Sequence, residues 1–146
     1  MGAFRHSGTG TSLVVMSTHL DYRGKIAREK SAPLLIGLAQ KWAHHGPVFL
    51  GGDFNSTPTS TVYKTLVSGM KDISDLVPEA SRYGNQEITY TSFGEAGERP
   101  GRLDYLFVLD QEGLQFLTYA ILSNRFDDGV FLSDHRPVVA DVKVPV

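Results

Sequence analysis

The chain has 146 residues, of which 41% are hydrophobic, so it is long enough to bury the core of one domain and too apolar for a disordered segment. A formal net charge of −2 argues against a protein that coats long stretches of nucleic acid. The absence of cysteine excludes disulfides and thiolate metal sites; it fits a cytoplasmic protein and leaves export open. No apolar run approaches the roughly 20 residues of a membrane span, and the amino terminus lacks the hydrophobic core of a signal peptide.

Apolar runs and helical periodicity predict two strand–helix units followed by a series of strands. The predicted elements in chain order are a strand at 12–18, a helix at about 26–42, a strand at 48–52, a helix at about 59–68, and strands at 88–93, 102–109, 114–122 and 136–144. The polar segment 71–87 is predicted to be irregular. This order of elements predicts an α/β layered domain.

The long helix carries an apolar stripe and an internal proline. Leu34, Leu38 and Trp42 recur at helical spacing and predict one apolar face. Pro33 is expected to kink the helix or to mark a late start, because proline has no amide hydrogen and clashes with the preceding turn. Gly69 is expected to end the second helix, since glycine is common just past a helix.

Several predicted strands are apolar on both faces. The runs "LVVM", "VFL" and "YLFVL" are typical of a sheet that is covered on both sides. The two predicted helices can cover only one of those sides. The sequence therefore predicts a second, inner face of the sheet that this chain has few residues left to cover.

Polar side chains interrupt the chain at strand ends in four places: His19, Asp53 with Asn55, Asp104, and Asp134 with His135. Ligands of α/β proteins gather where strand ends and loops converge. Carboxylates, an amide and imidazoles suit the attack of water on a phosphate aided by a hard divalent cation such as Mg²⁺. A carboxylate can orient or deprotonate the water, and an imidazolium can stabilise charge on phosphoryl oxygens. Gly51 and Gly52 are expected to let the backbone approach the ligand closely.

The segments "THLD", "GDFN", "RLDY" and "SDHRPV", in this order and spacing, resemble the second half of an endonuclease/exonuclease/phosphatase domain. The resemblance covers the chain from about Phe4 to Val144. It implies the second half of a four-layer α/β/β/α sandwich, in which a mixed β-sheet is covered by helices on one face. It also implies hydrolysis of phosphoesters with Mg²⁺ or Mn²⁺, by attack of water on phosphorus.

The same resemblance implies a role for each residue that matches one of these segments. Asp53 would orient or deprotonate the water and contact the metal. Asn55 would bind a phosphate oxygen or the nucleophile. His135 would contact the phosphate as the essential histidine, held by a hydrogen bond to Asp104.

Three further expectations come from the resemblance. Asp134 would lie at a metal, directly or through water, and His19 matches a histidine that some branches use near the leaving group. The segment "TYTSF", residues 89–93, resembles one that helps to shape the substrate pocket. The substrate classes found on this fold are nucleic acid, nucleotide, phosphoinositide and phospholipid headgroup, and the slightly acidic balance favours a small or single-stranded substrate.

The chain also departs from the pattern of the family. The first half of the family domain supplies an asparagine at a strand end and a metal-binding glutamate, and neither motif is present, so residues 1–146 are expected to be a partial domain that lacks its N-terminal half. The alternative to an enzyme is a non-catalytic half-domain that pairs with a complementary half or forms a homodimer to complete the sandwich. A zinc hydrolase using His19, Asp53 and His135 is disfavoured, because these residues lack a compact zinc spacing.

Overall fold

The computed structural model describes residues 1–109 and 112–145 of the chain. These residues contain eight strands and three α-helices. The strands are β1 (Gly2–Arg5), β2 (Ser12–His19), β3 (Val48–Asp53), β4 (Lys71–Asp72), β5 (Arg82–Gly84), β6 (Asp104–Val108), β7 (Gln115–Ile121) and β8 (Val138–Lys143). The helices are α1 (Lys25–Trp42), α2 (Thr61–Gly69) and α3 (Ile73–Leu76). Within these ranges, none of the helices combines the length and the apolar character needed to cross a membrane.

The strands form two mixed sheets. The larger has five strands in the order β1-β2-β3-β6-β4, and the smaller has three in the order β5-β7-β8. Helix α1 connects the parallel strands β2 and β3, whereas β6 runs antiparallel to β3. In the smaller sheet β5 is parallel and β8 antiparallel to β7, and of the described strands only β7 pairs with β8. The mixed α/β architecture predicted from the sequence is confirmed.

Helices α1 and α2 cover one face of the larger sheet. The core between them contains fully buried side chains from the central strands, among them Val14, Val48, Leu50 and Phe107. From α1, the buried residues are Ala32 and Ala39.

The apolar stripe predicted for α1 is wrong at two of its three residues, because Leu34 is 67% exposed and Leu38 is also exposed, whereas Trp42 packs against the core. The buried side of the helix carries the alanines instead, together with the partly buried Leu35 and Ile36. Small residues let the helix axis approach the sheet closely, and hydrophobicity alone does not mark them. The helix also runs through Pro33 from Lys25 to Trp42 without a break.

The smaller sheet packs on part of the opposite, inner face of the larger sheet. Ile73, Val108 and Tyr119 are buried in this second core, with Phe49 and Leu106 packed against it. The second core is small, because the smaller sheet reaches over only part of the larger one.

The rest of the inner face is open. A cavity of about 460 Å³ is lined by Phe4 and Leu13, and a neighbouring one of about 350 Å³ is lined by Val15. Val142 of β8 lines both cavities, so they flank the same edge strand. The structure therefore leaves exposed part of the apolar face that the sequence predicted to need a cover.

Two predictions of local structure differ from the observed fold. Residues 88–93 form no strand: Tyr90 makes isolated bridges to Gly101 and His135, and a short 3₁₀ turn follows at Ser92–Gly94. The segment 71–87, predicted to be irregular, contains β4, α3 and β5. Asp72 explains part of this order, because its side chain accepts the Ser74 amide hydrogen and caps α3.

Candidate active site

Three neighbouring strands bring His19, Asp53 and Asp104 side by side at one edge of the larger sheet. His19 is the last residue of β2, Asp53 is the last of β3, and Asp104 is the first of the antiparallel strand β6. In the register of the sheet, His19 pairs with Asp53, and Asp53 pairs with Asp104. Since paired strands lie only about 4.8 Å apart, the strand pairing itself collects these polar groups.

Asp53 is the residue on which the other polar groups converge. Its Oδ2 lies 3.2 Å from His19 Nε2, 3.3 Å from Asn55 Nδ2 and 3.8 Å from His135 Nε2. Burial raises the pKa of the Asp53 carboxyl above its usual value; the hydrogen bond from the Asn55 amide opposes this, and the Asp104 carboxylate adds to the rise. A carboxylate with increased proton affinity is suited to act as a general base.

Asn55 holds the loop that follows β3. Its backbone N–H donates to Asp53 Oδ1 at 2.8 Å, and its Nδ2 donates to the Leu20 carbonyl at 2.7 Å. It adopts a φ of 47°, a left-handed conformation that asparagine tolerates better than most residues. In this structure Asn55 therefore orients Asp53, and its binding of a phosphate oxygen stays a prediction.

Gly52 has a packing role beside the site. Its φ is 149°, and a Cβ at this position would lie 1.8 Å from the Thr18 carbonyl oxygen of the neighbouring strand. The absence of a side chain is thus required for the pairing of β2 with β3. The close approach of a ligand to this backbone stays a prediction.

His135 is held by Asp104 across the site. The Nδ1–H of His135 donates to Asp104 Oδ2 at 2.7 Å, the hydrogen bond that the resemblance implied. Because a carboxylate only accepts, the proton is on Nδ1, and Nε2 is left facing Asp53. The ring of Tyr90 lies 5.1 Å from the His135 ring, centroid to centroid, and packs against it.

The site includes buried polar residues that the sequence did not single out. Thr89 Oγ1 accepts the backbone N–H groups of Leu103 and Asp104 at 2.9 and 3.0 Å, and the Thr89 carbonyl accepts the Arg136 N–H at 2.7 Å. The segment 89–91 thus supports both residues of the Asp104–His135 pair. Asn124 contacts the same segment through a hydrogen bond from Nδ2 to Thr91 Oγ1. In the sequence, only the resemblance of "TYTSF" to a pocket-forming segment indicated that residues 89–91 belong to the site.

The donor set at Asp53 fits a hard divalent cation. Asp53, Asp104 and His135 each offer one ligand atom, and these atoms lie within 4.8 Å of one another. Two carboxylates this close repel each other, which adds to the rise that burial causes in the pKa of Asp53, and a cation would offset that repulsion. Asp134 is not a member of this group, and its carboxylate accepts a hydrogen bond from Ser133 Oγ at 3.4 Å. Its role as a metal ligand stays a prediction.

Comparisons with known proteins show the family and the fold of the chain. The sequence model of the Endonuclease/Exonuclease/phosphatase family matches residues 12–135. An endonuclease/exonuclease/phosphatase from Bacteroides vulgatus is 28% identical with a TM-score of 0.81, over 98% of this chain and 54% of its own. A mannosyl-6-phosphatase from Bacteroides thetaiotaomicron VPI-5482 is 25% identical with a TM-score of 0.80, over 98% of this chain and 55% of its own.

A more distant structure shares the fold alone. TDP2 from D. rerio, complexed with a single strand DNA product, is 17% identical with a TM-score of 0.74, over 93% of this chain and 58% of its own. No curated protein sequence matches the chain. The chain spans about half the length, 53% to 54%, of the first solved structures that it matches.

Proposed function

Because the chain belongs to the endonuclease/exonuclease/phosphatase family, we propose that it hydrolyses a phosphoester by attack of water on phosphorus. One observation supports the proposal most directly. His19, Asn55 and His135 converge within 3.2 to 3.8 Å of Asp53 Oδ2, and Asp104 holds His135 at 2.7 Å. This arrangement brings a general base, an imidazole held by a carboxylate, and a second histidine to one reacting phosphate group.

Each residue has a part in the proposed reaction. Asp53 takes the proton of the attacking water while the new O–P bond forms, and its raised pKa favours this transfer. Nε2 of His135 faces the same space, and in the doubly protonated ring its N–H donates to a phosphoryl oxygen and stabilises the charge there, with Asp104 holding the ring in place. As the P–O bond to the alcohol breaks, His19 in its protonated form gives its proton to the leaving oxygen. Asn55 keeps Asp53 oriented through its hydrogen bond to the carboxylate, and it is the residue proposed to bind a phosphate oxygen.

A divalent cation, Mg²⁺ or Mn²⁺, is the proposed cofactor. Asp53 and Asp134 are the residues proposed to hold it, directly or through water, and the paired carboxylates of Asp53 and Asp104 support a cation here. When bound, it would supply positive charge to the phosphate oxygens. The remaining groups of the site act on the water, the phosphate and the leaving oxygen.

The substrate is proposed to be a small or single-stranded phosphoester. A sugar phosphate is the first to test, because a protein 25% identical to this chain is a mannosyl-6-phosphatase. Single-stranded DNA follows on the likeness in fold to TDP2. Nucleotides, phosphoinositides and phospholipid headgroups complete the panel.

A hydrolysis assay with Mg²⁺ or Mn²⁺ and with EDTA tests the proposed function. Asp53→Asn and His135→Ala are expected to lower turnover by about 100-fold or more, because each removes a group that acts on the reacting atoms. His44→Ala is the matched control, since His44 is an exposed histidine in the 3₁₀ turn after α1. Turnover that persists in EDTA, or that is equal in His135→Ala and wild type, would contradict the proposal.

A second candidate function rests on the open inner face of the larger sheet. Phe4 and Val15 are exposed there beside the two cavities that flank β8. We propose as the alternative that the chain is a half-domain without activity of its own, which associates with a second copy or a complementary half through this face. A folded protein that remains monomeric at every concentration by light scattering would contradict self-association.

A further inference from the structure

We propose that Asn124 is a positioning residue, whose buried amide locks the turn that carries His135 so that the imidazole meets Asp104. This inference rests on the proposed function where it concerns catalysis. The placement of His135 can be measured without any substrate.

Asn124 is only 2% exposed and lies in the connection between β7 and β8. Its Nδ2 donates to the Ser133 carbonyl at 2.8 Å and to Thr91 Oγ1 at 2.7 Å. Thr91 connects Asn124 to the next peptide, because its Oγ1 and its backbone N–H both donate to the Asp134 carbonyl, at 2.9 and 2.7 Å. The two carbonyl groups that precede His135 are therefore both held, one directly and one through Thr91.

Fixing these two peptides fixes the direction of the His135 side chain. The His135 backbone N–H donates to Ser133 Oγ at 3.0 Å, which closes the turn on its other side. From this turn the imidazole reaches Asp104 at 2.7 Å. Thr89 and Thr91 belong to one segment, so the support for Asp104 at Thr89 and the support for His135 at Thr91 are continuous.

The chemistry at position 124 requires two donors on a neutral group. Aspartate has the same shape, but it would place lone pairs against the Ser133 carbonyl and the Thr91 hydroxyl. Leucine has a similar volume and would leave both acceptors buried without these donors. These two variants therefore separate the effect of the donors from the effect of filling the space.

The experiment compares Asn124→Asp and Asn124→Leu with wild type. The first measurement is the NMR resonance of the His135 ring proton shared with Asp104, and the second is kcat and KM with a sugar phosphate. We expect the resonance to broaden or disappear, and kcat to fall by about 10- to 100-fold with little change in KM, as when the supports of active-site ligands are removed.

Val77→Ala is the matched control, because Val77 is buried in the second core and its truncation lowers stability without touching the site. It is expected to keep the resonance and kcat. If the Asn124 variants do not fold, Thr91→Val breaks the same chain of hydrogen bonds at its middle and has the same expected result.

Two results would overturn the inference: an unchanged resonance in the folded Asn124 or Thr91 variants, or an equal loss in Val77→Ala. Absence of hydrolysis by wild type would contradict the proposed function only. In that case the resonance alone would still decide whether Asn124 positions His135.

Discussion

The ionised form of Asp53 lowers the free energy of unfolding of the protein. Its pKa is raised, chiefly by burial, so the folded protein binds the proton more tightly than the unfolded chain does. The stability contributed by protonated Asp53 is present below the unfolded value of 3.8 and is lost as pH rises through the higher pKa of the folded state. A group that is unfavourable for folding at neutral pH is expected where chemistry requires it.

Asp53→Asn is therefore expected to raise the stability of the fold while it removes activity. The neutral amide keeps the shape of the side chain and an acceptor for the Asn55 N–H, and it needs no ionisation. Thermal unfolding in EDTA should show a higher Tm than wild type near neutral pH, and the difference should shrink below pH 3.8. A variant that is less stable than wild type at neutral pH would contradict this expectation.

The polar residues of the site differ in how readily the sequence predicts them. Asp53 and His135 stand beside apolar strands within short segments that resemble a known family, so their sequence positions mark them. Thr89 and Asn124 act through backbone contacts that arise only in the folded chain. Neither residue has a periodic signature: Thr89 is marked only by the resemblance of "TYTSF" to a pocket-forming segment, and nothing in the sequence separates Asn124 from an ordinary turn residue.

A buried ion pair connects several short elements. Arg102, just before β6, donates from Nη2 to both oxygens of Asp72, at 2.7 and 3.0 Å, and to the Tyr119 hydroxyl of β7 at 3.2 Å. Asp72 also accepts the Tyr63 hydroxyl from α2. The guanidinium lies 4.6 Å from the centroid of the Tyr105 ring. Helix α2, strand β4 and the smaller sheet are thus joined through the Asp72–Arg102 ion pair.

Arg102→Met is expected to cost about 3–5 kcal/mol in free energy of unfolding, because it leaves a buried carboxylate without its cation. The double variant Arg102→Met with Asp72→Asn should be more stable than the single one, since the uncompensated charge is removed. Arg99→Met, in the exposed loop, is the matched control and should change stability by little. Urea denaturation measures the free energy of unfolding of the three variants. An equal loss of stability in Arg102→Met and Arg99→Met would show that the Asp72–Arg102 ion pair is unimportant for stability.

At the level of elements, the sequence predicts long segments better than short ones. Strands β2, β3 and β6 are marked by dense apolar runs, and α1 by its length and spacing. Strand β4 has two residues and α3 has four, too few for a periodic pattern. These short elements exist because of contacts made in the folded protein, such as the Asp72 cap and the burial of Ile73.

The two faces of the larger sheet differ in how well they are covered. The helical side of the larger sheet is covered, whereas Val15 on the inner side is 41% exposed beside a cavity of about 350 Å³. The sequence predicted this imbalance from strands that are apolar on both faces. It could not predict how far the smaller sheet reaches over the inner face, because that depends on packing between the two sheets that arises only in the folded chain.

Val15→Lys is expected to weaken self-association through the inner face, because a lysine would have to lose its hydration on contact. Leu34→Lys places the same charge on the outer side of α1 and should associate as wild type does. Light scattering across a concentration series compares the three proteins. Equal behaviour of the two lysine variants would exclude the inner face as the contact.

Strand β8 sets a limit on how such contacts can grow. Its six residues lie at the edge of the smaller sheet, between Pro137 and Pro145. Proline has no amide hydrogen to offer a neighbouring strand, and the outward side chains of β8 include the charged Asp141 and Lys143. An added strand can pair only over this short interval, so the edge is a poor template for open-ended fibrils. Growth of open-ended fibrils by strand addition at β8 is therefore disfavoured.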